Sequence, residues 1–295
     1  MKTSKLVLCV LGIALVFTVA AASAADATKL KFKFTKANVP GALQTLPSSI
    51  NNAGVTVGQY EDSSGVNHGY ILKGKSLTTL DDPNGTNTNA QGINFNGAIK
   101  VVGYYTNNST QQSIGFLYTP KNRRFKDIGP AGVKSSMAKG ISDEGSIVGS
   151  YVDSSNREHG FVSHGTKYEI LDVPGSLATF ADDINDMGDI VLGWVDSSGA
   201  YKGALRNSRG EYTEINVPDT GPLGSFPTGI NNKGEITFVW YDSSGLEHGA
   251  AYGYKFDYPK AVQTYAGGIS DKNALVGSYQ DKIGGPWSGY KATFK

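Results

Sequence analysis

The sequence is poor in the residues and motifs from which many functional sites are built. Its single cysteine, Cys9, lies in an apolar N-terminal run, so the rest of the chain can form no disulfide, zinc–thiolate site or cysteine nucleophile. It has no G-x-S-x-G nucleophile elbow, no phosphate-binding glycine loop and no H-E-x-x-H word. These absences predict a protein without a cofactor or a metal, and without a reaction that a motif identifies.

An excess of charge of one sign is lacking as well. The 27 Lys and Arg residues are matched by 26 Asp and Glu residues. A balance of this kind gives no electrostatic attraction to nucleic acid or to an anionic membrane. We therefore expect neither as a partner.

The N-terminus has the pattern of a secretory signal peptide. Two lysines precede an apolar run over residues 6–22, and Ala22-Ser23-Ala24 is a small-x-small cleavage pattern. The run is short for a transmembrane helix, which needs about 20 apolar residues. We expect cleavage after residue 24 and a secreted or periplasmic bacterial protein. One domain over residues 25–295 remains, and loss of the two lysines changes its formal net charge from +1 to −1.

Beyond this segment the chain is a six-fold repeat. Each copy carries an anchor isoleucine in a GINN-like word, and successive anchors are 43, 48, 43, 46 and 39 residues apart. The anchors are Ile50, Ile93, Ile141, Ile184, Ile230 and Ile269. Each copy has four short runs of β-branched and aromatic residues separated by turns, without helical periodicity. Four-stranded units at this period predict the blades of a β-propeller, with strands a, b, c and d.

The turns of each copy follow one rule. A short polar residue opens the turn and a glycine stands three places later, as in Asn51 with Gly54. The opening side chain can accept a hydrogen bond from the backbone two residues on, and the fourth residue then needs a positive φ. Asn156 and Asn273 stand where this glycine is missing. Since asparagine tolerates positive φ next best, both are predicted to be left-handed.

The two ends of the chain complement each other. Residues 288–295 have the pattern of a strand c with no strand d after it, whereas FTKANVPG at residues 34–41 is similar to the strand d word YEILDVPG at residues 168–175. The sequence therefore predicts an all-β, six-bladed β-propeller in which an N-terminal strand completes the last blade. A closed ring leaves only short outer edges, so we expect a monomer.

Short motifs after the second hairpin of three copies resemble the motif of a known repeat family. His68-Gly69-Tyr70, His159-Gly160-Phe161 and His248-Gly249-Ala250 are similar to the His-Ala-Phe word of the HAF-repeat family of bacterial exported proteins. GINNKGEI and LDVPGS fit the same repeat, which covers about residues 30–295. The resemblance implies an exported β-propeller and brings no reaction or ligand with it. The Trp-Asp ending of WD40 repeats is absent from every copy.

These three histidines suggest a metal site, but propeller geometry argues against one. Strand c lies about 10 Å outside strand a, which places the three imidazoles roughly 17 Å apart. Zinc needs each nitrogen within about 2.1 Å. We expect each histidine to bond within its own hairpin, near the aspartate that opens it. The aromatic residue opposite should be the one that ends strand b, namely Tyr60, Tyr151 or Tyr241.

A polar run in the fourth copy raises the question of a calcium site. Its members are Asp182, Asp183, Asn185, Asp186 and Asp189. The run departs from the EF-hand pattern at Met187 and occupies the place of an ordinary a–b turn. We favour the turn.

Strand a, the innermost strand, supplies the candidate binding residues. Small hydroxyls stand five residues before each anchor, and their uniformity suggests packing near the axis: Thr45, Thr88, Ser136, Thr179, Ser225 and Thr264. The next column is Leu46, Asn89, Met137, Phe180, Phe226 and Tyr265. Two residues further along come Ser48, Gln91, Lys139, Asp182, Thr228 and Gly267. Bulky residues followed by mixed polar ones can form a ligand pocket at the channel mouth.

We therefore predict a ligand site at the mouth of the channel. Its residues are Asn89, Lys139, Phe180, Asp182, Phe226 and Tyr265. For the bulky column a core role between blades is the preferred alternative, and for the polar column the two interpretations stay open.

The function that these observations predict is binding. The candidate partners are a glycan, a peptide or another envelope protein. An enzyme that acts on carbohydrate, or a lyase, is the alternative, because one fold hosts many chemistries. It would need two ionisable groups at one place, and Lys139 and Asp182 are the candidate pair. A structural surface protein is the third possibility, and it would lack a concave site.

Overall fold

The computed structural model describes residues 31–294, which form six antiparallel sheets of four strands each. The strands are β1 (Phe32–Lys36), β2 (Gln44–Ile50), β3 (Thr56–Glu61), β4 (Asn67–Lys73), β5 (Ser76–Leu80), β6 (Gly85–Ile93), β7 (Val101–Asn107), β8 (Ser113–Thr119), β9 (Arg124–Ile128), β10 (Ser135–Ile141), β11 (Ser146–Val152), β12 (Glu158–His164), β13 (Lys167–Leu171), β14 (Ala178–Ile184), β15 (Ile190–Val195), β16 (Tyr201–Arg206), β17 (Tyr212–Glu214), β18 (Ser225–Ile230), β19 (Ile236–Tyr241), β20 (Glu247–Ala251), β21 (Tyr254–Phe256), β22 (Gln263–Ser270), β23 (Ala274–Gln280) and β24 (Ser288–Phe294). The predicted signal peptide lies outside the described residues. Over residues 31–294 no helix has the length and hydropathy of a membrane span.

The sheets are the six predicted blades. Blade 1 runs in the order β2-β3-β4-β5, and blades 2 to 5 repeat this meander along the chain. Blade 6 has the order β22-β23-β24-β1. The first strand of each blade contacts the first strand of the next, and β22 contacts β2, so the ring is closed. The prediction of a six-bladed β-propeller is confirmed.

Strand β1 completes blade 6, as predicted. It pairs with β24 in antiparallel register from Phe32 opposite Phe294 to Lys36 opposite Tyr290. The ring of Phe32 lies 4.6 Å from that of Phe256 in blade 5. The closing strand therefore seals the seam between the last two blades as well as the edge of its own sheet.

The hydrophobic core lies between neighbouring blades. Each cluster takes buried residues from two adjacent sheets, as these pairs illustrate: Val57 with Phe116, Val162 with Leu192, and Phe256 with Leu275. Full burial of one such side chain contributes about 2 kcal/mol. Since every blade face packs on the next, the ring is the smallest unit that buries all of them.

The turns have the geometry that the sequence predicts. Gly54 has φ +74°, and Asn156 and Asn273 replace glycine with φ +66° and +56°. In the b–c turn of blade 1, one oxygen of Asp62 accepts the amides of Ser64 and Val66 at 2.8 and 2.9 Å. Short polar side chains thus stabilise these turns through hydrogen bonds within the hairpin.

The column of small hydroxyls is buried in all six blades, and its role is to hold the connection from the preceding blade. Thr45 accepts the amide of Val39 at 3.0 Å, and four other copies form the same kind of bond. Blade 3 differs because Pro130 stands six residues before Ser136 and has no N–H. There Ser136 accepts the amide of Gly115 at 3.0 Å and donates to the carbonyl of Ile128 at 2.8 Å.

Besides the hydroxyl column, a ring of polar side chains closes one end of the channel, where the a–b turns meet. We call it the Asx ring, and its members are Asn52, Asn96, Asp143, Asp186, Asn232 and Asp271. Asn52 donates to Asp271 at 2.7 Å and to Asn96 at 3.1 Å, which joins the first blade to the last and to the second. Asn232 donates to Asp186 at 2.7 Å and to Asp271 at 3.2 Å. Each turn is thereby tied to its neighbours around the axis.

Candidate functional site

A β-bulge in every innermost strand shapes the opposite end of the channel, which we call the mouth. The register of strand a breaks at the same place in each blade, for example between Ala138 and Gly140 and between Ala181 and Asp183. The residues at the breaks form the polar column of the sequence: Ser48, Gln91, Lys139, Asp182, Thr228 and Gly267. A bulge bends a strand and redirects a side chain, and here it turns the column toward the axis.

The mouth contains two adjoining recesses. The larger, of about 290 Å³, is lined by Ser48, Ser49, Gln91, Lys139, Glu158, Phe180, Asp182, Asp183, Tyr201, Phe226, Thr228, Tyr241, Tyr265 and Gly268. The smaller, of about 250 Å³, shares Ser48, Gln91 and Tyr265 and adds Asn89 and Glu247. Both lie where strand a begins, strand b ends and strand c begins. The mouth therefore opens on the face that carries the d–a and b–c connections.

The structure brings all six predicted site residues to the mouth. Lys139, Phe180, Asp182 and Phe226 line the larger recess, Asn89 lines the smaller one, and Tyr265 lies between the two. The rings of the bulky column are half-buried and face the recess. For Phe180, Phe226 and Tyr265 this placement favours the site interpretation over a core role, whereas Asn89 is buried.

Asn89 acts mainly inside the protein. Its amide donates to Gln59 at 2.6 Å and to the hydroxyl of Tyr104 at 3.1 Å, and its oxygen accepts from Gln91 at 2.8 Å. Only 6% of the residue is exposed. Asn89 therefore positions Gln91, which reaches both recesses.

Lys139 and Asp182 form an ion pair across two blades. The Nζ–Oδ1 distance is 2.8 Å, and the side chains are 22% and 10% exposed. Burial raises the pKa of Asp182, and the Lys139 ammonium offsets this only in part. Burial alone would lower the pKa of Lys139, but the charge of Asp182 and its hydrogen bond reverse the shift, so the pKa is raised. Both shifts are consistent with a site in which carboxyls outnumber ammonium groups.

Asp183 is a site residue that we did not predict, although its position in the repeat is unusual. It precedes the anchor isoleucine, a place that glycine fills in four other copies. Its two oxygens accept the amides of Ile184 at 2.9 Å and Ile230 at 3.0 Å. Burial raises the pKa of its carboxyl to about 7. A β-carbon on Gly140 would lie 2.6 Å from Asp183 Oδ1, so the neighbouring blade needs glycine there.

Four aromatic rings form one wall of the larger recess, the aromatic wall: Phe180, Tyr201, Phe226 and Tyr241. The ring of Tyr201 lies 5.3 Å from that of Phe226 and 5.9 Å from that of Tyr241. Phe180 meets Phe226 at 6.4 Å and 88°. The two tyrosines were missed because they belong to strands c and b, whereas the prediction considered strand a alone.

Two further carboxyls reach the mouth from the start of strand c. Glu158 lines the larger recess, and among the described residues its carboxylate has no hydrogen-bond partner. Glu247 lines the smaller recess and accepts the hydroxyl of Tyr241 at 3.4 Å. Burial raises the pKa of Glu247 and of Tyr241. The mouth is therefore acidic on its blade 3 to blade 5 side.

The histidines of the repeat are structural. His159 lies between Asp172 at 2.9 Å and Asp153 at 3.4 Å and stacks on Tyr151 at 5.1 Å. His68 and His248 repeat the arrangement in blades 1 and 5. The opening aspartate is a partner, as expected, and a second aspartate after strand d bonds the other nitrogen. Among residues 31–294 no three histidine, cysteine or acidic residues are placed to hold a metal.

One detail of this prediction was wrong. In blade 5 the aromatic partner is Trp240, because β19 places Trp240 opposite His248 and Tyr241 opposite Glu247. Trp240 stands two residues before Asp242, the spacing that Tyr60 and Tyr151 have in their hairpins. This register frees Tyr241 for the aromatic wall.

The calcium candidate separates into two unrelated parts. Asp182 and Asp183 lie at the mouth. Asn185 opens an a–b turn, in which its oxygen accepts the amides of Met187 at 3.0 Å and Asp189 at 2.9 Å. The preferred interpretation of that segment as a turn is confirmed.

Comparisons with known proteins support the fold. No family model and no curated sequence matches the chain, so the resemblance to the HAF-repeat family stays a prediction. AofleA from Arthrobotrys oligospora is 14% identical with a TM-score of 0.52, over 88% of each chain. TolB from Acinetobacter baumannii is 11% identical with a TM-score of 0.52, over 86% of this chain and 65% of its own.

A lectin is also among the structural neighbours. A mutant Aleuria aurantia lectin, in complex with alpha-methyl-L-fucoside, is 14% identical with a TM-score of 0.49, over 86% of this chain and 96% of its own. Identities this low show a common architecture and carry no ligand from one protein to another. The chain shares its overall fold with AofleA and TolB.

Proposed function

We propose that the protein is an exported binding module and that the mouth of the channel is its ligand site. The candidate ligands are a glycan, a peptide or an exposed segment of an envelope protein. The observation that carries the proposal is a concave site of about 290 Å³ on the axis, with an aromatic wall beside polar and acidic groups. A few polar groups among bulky side chains is the usual composition of a ligand pocket.

A comparison of the six copies supports this choice. Where a side chain holds the ring together the copies are nearly uniform, as in the hydroxyl column and the Asx ring. At the bulged position that faces the mouth they carry Ser, Gln, Lys, Asp, Thr and Gly. The ion pair between Lys139 and Asp182 accounts for two of these residues. Packing between like blades gives no reason for the rest of the variety, whereas recognition of an asymmetric ligand does.

Catalysis is less well supported than binding. The pair that the sequence offered as acid and base, Lys139 and Asp182, is joined at 2.8 Å. The raised pKa of Lys139, which reflects the carboxylate beside it, keeps the amine protonated, so it cannot accept a proton. A purely structural surface protein, the third possibility, leaves the recess without a role.

A thermal-shift screen against oligosaccharides and short peptides tests the proposal. A ligand that binds only the folded state adds about 2.7 kcal/mol at one hundred times its dissociation constant. We expect a hit that Phe226→Ala abolishes and Tyr212→Ala preserves, since Tyr212 is 39% exposed on the outermost strand of blade 4. Binding that both variants retain would place the site elsewhere. Silence across the panel would favour a structural role.

A further inference from the structure

We propose that the mouth takes a basic side chain, lysine or arginine, from a peptide partner. This inference rests on the proposed function of the mouth as a ligand site. It follows from the charge of the two recesses, from one unpaired carboxylate, from the aromatic wall and from the order of these groups along the channel.

The charged groups that line the two recesses are unequal in number. There are four carboxyls, from Glu158, Asp182, Asp183 and Glu247, and one ammonium, from Lys139. Lys139 is already paired with Asp182. An anionic ligand would therefore meet a field of its own sign, whereas a cation would be attracted into the channel.

Glu158 is the carboxylate best placed to meet such a cation. The other two carboxyls of the larger recess have hydrogen-bond partners inside the protein, Asp182 with Lys139 and the amide of Gly193, and Asp183 with two backbone amides. Within residues 31–294 no hydrogen bond to the Glu158 carboxylate is formed. A half-buried carboxylate without a partner gains most from a charge-assisted bond to a ligand.

The protein itself shows how this site holds an ammonium group. Lys139 Nζ lies 4.8 Å from the centre of the Phe180 ring while it bonds Asp182 at 2.8 Å. A cation over an aromatic face and against a carboxylate is a favourable arrangement. Tyr201, Phe226 and Tyr241 extend the same aromatic surface in the recess that Glu158 also lines, so a second cation can be held in the same way.

The order of the groups favours a linear side chain over a sugar ring. Along β14 the aromatic Phe180 comes first, and Asp182 and Asp183 follow deeper in the channel. An alkyl stem would lie along the aromatic wall and present its charge to Glu158, which lines the same recess. The larger recess, at about 290 Å³, lies at the small end of the range for ligand pockets, about 300–1,000 Å³.

Calorimetric titration of the full chain with Nα-acetyl-lysine methylamide tests the proposal. The matched probe is the same compound acetylated on Nε, which has no charge. We expect the charged probe to bind at least about tenfold more tightly, and this preference to shrink in about 0.5 M salt. Glu158→Gln should remove most of the preference. Glu144→Gln should keep it, since Glu144 is exposed in the a–b turn of the same blade at the other end of the channel.

The other possible results of these titrations each contradict a different part of the proposal. Equal binding of the two lysine probes, or tighter binding of an acidic probe, would overturn the preference for a cation while the mouth stays a ligand site. Tighter binding of a glucosamine disaccharide than of the lysine probe, lost in Glu158→Gln, would overturn the peptide side chain in favour of an amino sugar. If no probe binds and the oligosaccharide panel is silent too, the proposed function itself fails.

Discussion

The two ends of the central channel are built by the same six strands and differ in what the copies supply. At the end where the a–b turns meet, every blade contributes an asparagine or an aspartate, and these side chains bond one another around the axis. At the mouth every blade contributes a different residue from the same bulged position. A repeat protein must satisfy the contacts that each blade makes with the next, and the Asx ring meets that demand. At the mouth the copies share no such common bond, although Lys139 and Asp182 join two blades, and the side chains differ from blade to blade.

Among the substitutions that test this difference between the two ends, the largest loss of stability is expected from a fourth carboxylate in the Asx ring. Asn232→Asp replaces the amide that donates to Asp186 and Asp271 with an acceptor. Loss of hydrogen bonds to charged groups and the added repulsion should lower the free energy of unfolding by about 2 kcal/mol at neutral pH. The deficit should shrink below about pH 4, where carboxyls become protonated. Urea unfolding at both pH values measures it.

Asn122→Asp is the matched control for this substitution. Asn122 is exposed in the c–d turn of blade 2, and its replacement should change stability by less than about 0.5 kcal/mol. An equal loss in the two variants would mean that the Asx ring has no special part in closing the channel.

A smaller change in stability is expected from the titration of Asp183 as the pH rises. Its pKa is about 7 in the folded protein, mainly because of burial, against about 3.9 when unfolded. The folded state therefore binds the extra proton between these values, and stability falls as the pH rises from about 4 to about 7. Because the recess is open to water, we expect the protein to lose about 1–2 kcal/mol between pH 5 and pH 8.

Asp183→Gly, the residue of the equivalent place in four other blades, should flatten this dependence. A residual slope of the same sign should remain from His68, whose raised pKa gives stability that is lost as the pH rises through the folded value. Its pKa is raised although burial opposes the shift, because hydrogen bonds and charges from Asp81 and Asp62 outweigh burial. An unchanged slope in urea unfolding of Asp183→Gly would show that Asp183 titrates normally.

The smallest effect on stability should come from Glu158→Gln. No hydrogen bond to its carboxylate is formed within the described residues, so the free energy of unfolding should change by less than about 0.5 kcal/mol. Thermal unfolding of the two proteins measures this. A loss above about 1 kcal/mol would assign Glu158 to the framework and would remove the contrast between the two ends.

The architecture was predictable because it is determined by local sequence features that recur in six copies. The anchor isoleucines, the turns with glycine or asparagine and the missing strand d of the last copy each determine one feature of the ring. The site was predictable in part, since strand a had to line the axis. Tyr201, Tyr241 and Glu158 escaped because they belong to strands b and c, whereas the prediction considered strand a alone. Which ends of these strands line the recess depends on how neighbouring blades pack against each other, and no motif within one copy reports that.

The Asx ring was likewise hidden in residues that a single copy explains as turn formers. Asn52 and Asn232 have a sufficient local reason to be polar. Their side chains nevertheless bond residues of other blades, 44 and 219 positions away for Asn52. Their role in joining blades exists only in the closed ring, because only there do the a–b turns of different blades meet.

The closure by β1 also sets the order in which the molecule can be assembled. Blades 1 to 5 are each formed from one contiguous stretch, so their hairpins involve short loops and can form in turn as the chain appears. Thr35 and Lys291, which bond across the closing pair, are 256 residues apart. Contacts of such high sequence separation form late and slowly. Phe32 and Phe34 therefore stay without their strand partner until nearly the whole chain is present, and during that interval β1 is open to proteolysis or to pairing with another molecule.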